Sequence, residues 1–145
     1  MRAVIQRVKK ASVKVKDEIV GDIKHGFLIL LAVHVDDTEK DISYLTQKIV
    51  NLRIFEDHED KMNKSIQDVK GSILVVSQFT LYGDCSKGNR PSFIKSARPE
   101  KAKDYYEKFV QQLRDFDINV QTGKFQEHME VSLVNNGPTT VIINS

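Results

Sequence analysis

The sequence predicts a single α+β domain over residues 1–145, with mostly antiparallel strands and two amphipathic helices. Short apolar runs rich in β-branched residues are separated by turn residues, which is typical of strands. Two longer segments repeat their apolar residues at helical spacing instead. No linker or internal repeat divides the chain, and its length is enough for one sizeable core.

Four strands are predicted in the first third of the chain. Ala3–Val8 is a short apolar strand, and apolar and charged residues alternate in Val13–Lys16, so one face of that second strand should contact solvent. A third short strand is predicted at Val20–Lys24. Phe27–Val33 is a continuous apolar run, which indicates a central strand buried on both faces.

The first helix is predicted to begin at Thr38, which stands at capping-box spacing from Asp41. Apolar residues then recur at intervals of 3, 4 and 3, which predicts one buried stripe on a helix of about four turns: Ile42, Leu45, Ile49 and Leu52. A short extended piece, Arg53–Phe55, and a charged loop, Glu56–Lys64, are expected after the helix.

The second helix is predicted to begin near Pro99, because proline is tolerated in the first turn. Its apolar stripe consists of Ala102, Tyr105, Tyr106, Phe109, Val110 and Leu113. The segment before it, Cys85–Lys95, contains glycine, proline and polar residues and is expected to be a loop. Three strands should end the chain: Ile118–Thr122, Met129–Val134 and Thr140–Ile143.

Composition narrows the class of protein. No stretch reaches the roughly 18 apolar residues that cross a bilayer, and the N-terminus has no apolar signal core. The single cysteine, Cys85, excludes an internal disulfide and fits a reducing compartment, so a cytoplasmic location without membrane association is expected. A net charge of +2 is too small to argue for nucleic-acid binding by itself.

The stretch Ile73–Asp84 carries the most distinctive chemistry. It opens as a buried apolar strand, continues into Ser77, Gln78 and Thr80, and ends in a turn at Gly83-Asp84. A serine or threonine hydroxyl needs a neighbouring base to become a nucleophile, and no histidine follows at a recognised spacing. From the residues alone, these polar groups are best interpreted as partners of backbone groups at a strand end.

Two groups of charged residues raise the questions of metal binding and of nucleic-acid binding. His58 lies in an acidic loop and His128 follows Glu127, but neither has zinc-type spacing, so no metal and no organic cofactor is expected. Lys87–Lys103 holds six basic residues against one acidic residue. This bias suits a phosphate backbone as well as it suits an ordinary solvated surface, and the sequence leaves both open.

A second polar motif, Asn135-Asn136-Gly137-Pro138-Thr139-Thr140, normally indicates a turn between strands. A Gly-Pro bond can also be cis, at a cost of about 0.5–1 kcal/mol. A cis bond would direct successive carbonyl groups into a rigid pair of acceptors suited to an ammonium group. The sequence alone leaves this conformation open.

Taken together, these motifs resemble those of D-aminoacyl-tRNA deacylases. The likeness covers essentially the whole chain, and two signatures in order carry it: Ser77-Gln78-Phe79-Thr80 and Asn135–Thr140. Four further segments match: Val4-Ile5-Gln6-Arg7-Val8, Asn51–Phe55, Lys87–Phe93 and Thr122–Phe125.

The resemblance implies a barrel-like sheet and a homodimer that hydrolyses the ester between a D-amino acid and tRNA, and glycyl-tRNA as well. It implies that Gly137 and Pro138 enter the partner subunit's pocket, hold the α-amino group with main-chain oxygens and exclude an L side chain. Asn135 and Thr140 belong to the same substrate-binding loop, and the Arg7 guanidinium is expected to brace its carbonyl groups.

The resemblance places Ser77, Gln78, Phe79 and Thr80 around the scissile ester, with two possible mechanisms. Thr80 is the nucleophile in one. In the second mechanism, main-chain N–H groups near Phe79 and Thr80 stabilise the oxyanion, and the ribose 2′-OH helps activate water. The second mechanism is favoured, since Thr80 has no evident base. Two other functions stay open: a catalytically silent dimeric RNA-binding module, and a small esterase using Thr80.

Three departures from the family pattern concern side chains. Asn136 stands where Asp is usual, and Thr139 stands where Val is common. Gln126-Glu127-His128 replaces a stretch that usually begins with glycine and a small residue, which puts the detail of that loop in doubt.

Overall fold

The computed structural model describes residues 1–145 as eight strands, two α-helices and a 3₁₀ helix. In chain order the elements are β1 (Arg2–Val15), β2 (Glu18–Ile23), β3 (Gly26–Ala32), α1 (Glu39–Val50), β4 (Phe55–Glu56), β5 (Met62–Lys64), β6 (Ser72–Ser77), the 3₁₀ helix (Phe79–Tyr82), α2 (Pro99–Arg114), β7 (Val120–Thr122) and β8 (Glu130–Asn144). No helix is both long enough and apolar enough to span a membrane.

Six strands form one curved sheet in the order β2-β1-β3-β6-β7, with β8 also paired to β1. The three pairings of β1 are antiparallel, whereas β6 runs parallel to both β3 and β7. β2 curls back towards β7 so closely that a Cβ on Gly21 would lie 2.7 Å from the Thr122 carbonyl oxygen. The predicted α+β class and barrel-like sheet are therefore confirmed, with two parallel pairings that the sequence did not indicate.

β3 and β6 are buried on both faces, as their continuous apolar runs predicted. One face contributes Phe27, Ile29, Ile73 and Val75 to the larger core, which the two helices cover. The other face contributes residues to a smaller core inside the curled sheet, formed by Val8, Ala11, Val13, Val15, Ile23, Leu28, Leu74 and Val76. Burial on both faces holds the backbone of these two strands in place.

Both helices begin where the sequence predicted. Thr38 donates from its backbone N–H and its hydroxyl to the Asp41 carboxylate, at 2.7 and 2.9 Å. These bonds lower the pKa of Asp41 to about 2. α1 ends at Val50, before the end of the predicted stripe, and Leu52 packs against the larger core from outside the helix. Pro99 is in the first turn of α2.

Several predicted boundaries are wrong. The two strands expected at the N-terminus are one strand, because β8 pairs along β1 and two register shifts, between Gln6 and Val8 and between Val8 and Lys10, absorb the break. The last two predicted strands are likewise one element, β8. The strand from Ile73 ends at Ser77, and Phe79–Tyr82 forms a 3₁₀ helix instead of continuing it. The charged loop Glu56–Lys64 contains the β4–β5 pairing.

Candidate active site

A cavity of about 640 Å³ opens where the parallel strands β6 and β7 end. The carboxyl ends of neighbouring parallel strands meet at one edge of a sheet, so the segments after them converge there. The cavity is lined by Val76, Ser77, Gln78, Phe79, Phe93, Ser96, Ala97, Pro99, Ala102, Phe125, Gln126, Glu127, His128, Met129 and Val131. Of the four residues predicted to be catalytic, Ser77, Gln78 and Phe79 line this cavity, whereas Thr80 does not.

The turn after β6 leaves two N–H groups unpaired. Phe79 and Thr80 begin the 3₁₀ helix, and neither N–H donates to an acceptor within the chain. The Phe79 carbonyl accepts a bond from the Ser96 hydroxyl at 3.0 Å. The Phe79 ring meets the Phe93 ring edge to face, with 5.1 Å between ring centres. The loop before α2 therefore fixes the turn from the cavity side.

Arg2 fixes the same turn from its other side. Its guanidinium donates to the Leu81 carbonyl at 2.8 Å and lies 4.9 Å from the centre of the Tyr82 ring. Burial and the Asp37 carboxylate raise the pKa of Tyr82 to about 12, so its hydroxyl stays protonated at neutral pH. A short helix with few internal bonds is thus held by contacts to other elements.

Thr80 is poorly placed to act as a nucleophile. Its hydroxyl oxygen accepts a short hydrogen bond from the Gln78 side-chain amide, which is its only hydrogen-bond partner in the chain. No histidine or carboxylate is bonded to it, so no side chain is in position to take its proton. The geometry therefore favours the mechanism in which this hydroxyl makes no covalent bond.

The second motif forms a tight loop within β8. The Asn135 side chain accepts from the Thr139 N–H at 3.2 Å and donates to the Thr139 carbonyl at 3.3 Å. The Gly137–Pro138 peptide bond is cis, and both residues are exposed. A Cβ on Gly137 would lie 2.3 Å from the Thr139 nitrogen, so only glycine fits there. The Thr140 hydroxyl accepts from Gln6 at 3.5 Å.

The Arg7 guanidinium is almost fully buried, with 4% of the residue exposed, and uses all three of its nitrogens. Nε donates to the Asn136 carbonyl at 2.9 Å, and the other two nitrogens donate to the Ile54 carbonyl at 2.6 Å and the Glu56 carboxylate at 3.1 Å. The predicted brace between this side chain and a carbonyl group of the Gly-Pro loop is therefore present.

The two motifs do not meet within one chain. None of the residues Asn135–Thr140 lines the cavity at the end of β6. The cavity is walled by the end of β6, the 3₁₀ turn, α2, the loops beside them and Val131 at the start of β8, and the Gly-Pro loop lies further along β8. No group of three or more His, Cys, Asp or Glu side chains is arranged so that it could hold a metal ion.

Sequence reasoning missed the far wall of the cavity, formed by Phe93, Ser96 and the segment from Phe125 to Met129. The sequence offered one indication of this wall, because Lys87–Phe93 and Thr122–Phe125 match the family pattern. That match assigned no role to either segment. Gln126 has a φ of 64°, a left-handed conformation that favours glycine. Gln126 therefore adopts a backbone conformation at which glycine would be less strained.

The fold and cavity define a class of small α+β domains with a cavity at the ends of two parallel strands, beside a turn with two unpaired main-chain N–H groups. A family model described as D-Tyr-tRNA(Tyr) deacylase matches residues 4–144. The chain therefore belongs to this family. Relatives named D-aminoacyl-tRNA deacylase from Thermosipho africanus, Thermotoga petrophila and Clostridium kluyveri are 55%, 54% and 54% identical, over all of this chain and 97% of each relative.

Two solved structures share the fold. One, titled c-Myc DNA Unwinding Element Binding Protein, is 40% identical with a TM-score of 0.94, over 100% of this chain and 99% of that one. The other, titled as a probable eukaryotic D-amino acid tRNA deacylase, has a TM-score of 0.84 over 99% and 98% of the two chains. At 18% identity, the second shows a common fold only.

Thr139 generates a stability prediction. Its hydroxyl oxygen is the one buried side-chain polar atom without a hydrogen-bond partner, and the residue is 7% exposed. Thr139→Val removes this unpaired group while keeping the branched shape, so unfolding should cost about 1 kcal/mol more. Thermal unfolding should show a Tm about 3 °C higher. Thr140→Val, at an exposed hydroxyl, is the control and should leave Tm nearly unchanged; a lower Tm for Thr139→Val would mean that its hydroxyl is paired across subunits.

Proposed function

We propose that this chain hydrolyses the ester between a D-amino acid and the terminal ribose of tRNA, with the cavity at the end of β6 as the reaction site. The family and its relatives establish a D-aminoacyl-tRNA deacylase, a hydrolase of the aminoacyl-tRNA ester bond. The observation that carries the assignment of the site is the pair of unpaired N–H groups on Phe79, which lines the cavity, and on Thr80, which follows it. Glycyl-tRNA, which has no side chain to exclude, would be a second substrate, and the role would be chirality proofreading in translation.

The chemistry follows from main-chain groups. Water attacks the ester carbonyl carbon, and the carbonyl electron pair moves to oxygen, where the N–H groups of Phe79 and Thr80 stabilise the negative charge. The bond to the ribose oxygen then breaks, and that oxygen takes a proton as the free amino acid leaves. Each well-placed donor is worth about 3–4 kcal/mol in the transition state. The neighbouring ribose 2′-OH helps to activate the water, since no side chain of the protein serves as its base.

Selection for the D configuration would come from a second subunit. Gly137 and Pro138 are exposed and do not line the chain's own cavity, so they are available to enter the cavity of a partner in a homodimer. Apolar side chains of β8 are also exposed around them: Leu133, Val134 and Ile142. Such side chains are typical of a surface that another subunit covers.

In this arrangement the carbonyl oxygens of Gly137 and Pro138 accept from the substrate ammonium, and the loop occupies the space of an L side chain. Asn135 closes the loop, and Arg7 holds its Asn136 carbonyl. Thr140 lies next to it on β8. The free thiol of Cys85 fits a cytoplasmic location, where charged tRNA is used.

A second candidate function is nucleic-acid binding without catalysis. The printed title of one structural relative describes binding to a DNA unwinding element, and that relative is 40% identical to this chain. The cavity argues against it, because a surface that only binds nucleic acid has no need of a cavity beside two unpaired N–H groups. An esterase that uses Thr80 is disfavoured because no histidine or carboxylate is bonded to its hydroxyl.

Deacylation of matched D- and L-tyrosyl-tRNA, with EDTA present, tests the proposal. Rapid loss of the D ester with the L ester spared is expected, because the partner loop excludes the L side chain. Loss of both esters would retain the hydrolase and refute the exclusion argument. Loss of neither, repeated with metal ions supplied, would favour the binding function.

Thr80→Ala should retain most of the activity. Because the proposed mechanism uses only the N–H of this residue, kcat on D-tyrosyl-tRNA should fall by less than about fivefold, whereas loss of a true nucleophile costs about 10⁴-fold or more. Single-turnover rates of the variant and the wild type give the comparison. Thr38→Ala, which does not line the cavity, is the matched control; a fall of a thousandfold confined to Thr80→Ala would restore the nucleophile.

Mixing two inactive subunits tests the contribution of the partner. Gly137→Ala should disrupt the loop, and Ser96→Trp should fill the cavity mouth, so each homodimer should be inactive while folded by circular dichroism. Mixed at equal amounts and allowed to exchange, they should regain about a quarter of the wild-type activity, since half of the dimers carry one intact site of two. No recovery after confirmed exchange would show that the loop serves its own chain.

A further inference from the structure

We propose that the basic rim, defined as Lys87–Arg98, binds the phosphate backbone of the tRNA acceptor end beside the cavity. The rim contains Lys87, Arg90, Lys95 and Arg98 and no acidic residue. All four side chains are exposed. The inference rests on the proposed function, because it assigns a surface to the polynucleotide part of the same substrate.

The four cations are free of partners within the chain. None of them forms a salt bridge or donates a side-chain hydrogen bond. The next cations along α2 differ, since Lys101 donates to the Val35 carbonyl and Lys108 pairs with Glu39 and Asp104. Asp84, which is bridged to Ser92, is the carboxylate near Lys95, and no carboxylate lies within salt-bridge distance of any of the four cations. The rim thus presents a net positive charge, as a phosphate-binding surface does.

The rim is attached to the reaction site. Phe93 and Ser96 line the cavity and contact Phe79, as described above. Main-chain bonds fix its end, from Val35 to the Lys95 carbonyl at 3.0 Å and from Ala97 to the Val33 carbonyl at 2.9 Å. Lys95 and Arg98 are therefore next to or within two residues of the cavity-lining residues Ser96 and Ala97, on backbone that these bonds hold in place.

An apolar side chain lies among the charges. Ile94, between Phe93 and Lys95, is 81% exposed, the most exposed large apolar residue in the chain. Alternation of cations with an exposed apolar side chain suits a nucleic-acid strand, in which phosphates alternate with the apolar faces of ribose and base. A solvated surface would gain nothing from this isoleucine.

A groove on the other side of the cavity is a weaker candidate. It has a volume of about 550 Å³, shares Phe125 and Glu127 with the cavity, and runs along α2. Its lining holds three cations, Lys103, Arg114 and Lys124, and two carboxylates, Glu107 and Glu127, and Lys103 lies 3.8 Å from Glu107. Because these carboxylates offset most of the positive charge, the groove supplies a matched control.

The test compares two charge-removal variants on two substrates. The rim variant is Lys87→Gln, Arg90→Gln, Lys95→Gln and Arg98→Gln combined, and the control is Lys103→Gln with Lys124→Gln. One substrate is D-tyrosyl-tRNA; the other is D-tyrosyl adenosine, which carries the ester and no phosphate. kcat/KM is measured for both between 50 and 200 mM salt.

The rim variant should lose about 30-fold or more in kcat/KM on the tRNA at 50 mM salt. The slope of log kcat/KM against log salt concentration should also become less steep, by about 3. Its rate on D-tyrosyl adenosine should match that of the wild type, and the control variant should stay within about threefold on both. Unchanged activity on the tRNA, or an equal loss on the adenosine ester, would overturn the proposal.

Binding of uncharged tRNA separates this inference from the proposed function. If the wild type hydrolyses neither ester, the proposed function fails. The rim would still be supported by a Kd for tRNA that rises in the rim variant and not in the control, and refuted by equal Kd values.

Discussion

The parallel pairing of β6 between β3 and β7 is the constraint on which the site depends. Apolar residues on both faces of β6 hold the strand in two cores at once, and neighbours on both edges fix its backbone. At Ser77 the apolar pattern ends, so the chain leaves the sheet and turns into the 3₁₀ helix. The first N–H groups of that helix have no partner inside the chain, and the strand that precedes them fixes their position.

The pairing of β1 with β8 imposes the complementary constraint. It places the Gly-Pro loop on a strand that shares no residue pairing with β6, while buried Arg7 ties the loop to the β4 region through Asn136, Ile54 and Glu56. The loop is held firmly and exposed, and none of its residues lines the chain's own cavity. This combination of rigidity and location supports the proposed dimer.

Local patterns predicted the local features. The apolar runs of β3 and β6, the Thr38–Asp41 cap and the first turn at Pro99 could all be read from neighbouring residues. The parallel pairings could not, since they depend on which distant strand supplies each edge. Thr80 shows the same limit at the site: the likeness placed it at the ester, but the hydrogen bond from Gln78 and its position outside the cavity are consequences of the 3₁₀ turn.

Where the chain departs from the family pattern, main-chain groups explain why the site persists. Asn136 contributes its carbonyl to Arg7, which an aspartate would contribute equally. Gln126 keeps a backbone conformation suited to glycine, so the loop after β7 still walls the cavity. The groups proposed to hold the oxyanion and the ammonium are main-chain N–H and C=O groups. Every residue carries both, except proline, which lacks the N–H. Substitution can therefore alter the side chains around the cavity while the groups proposed to recognise the ester and its chirality stay in place.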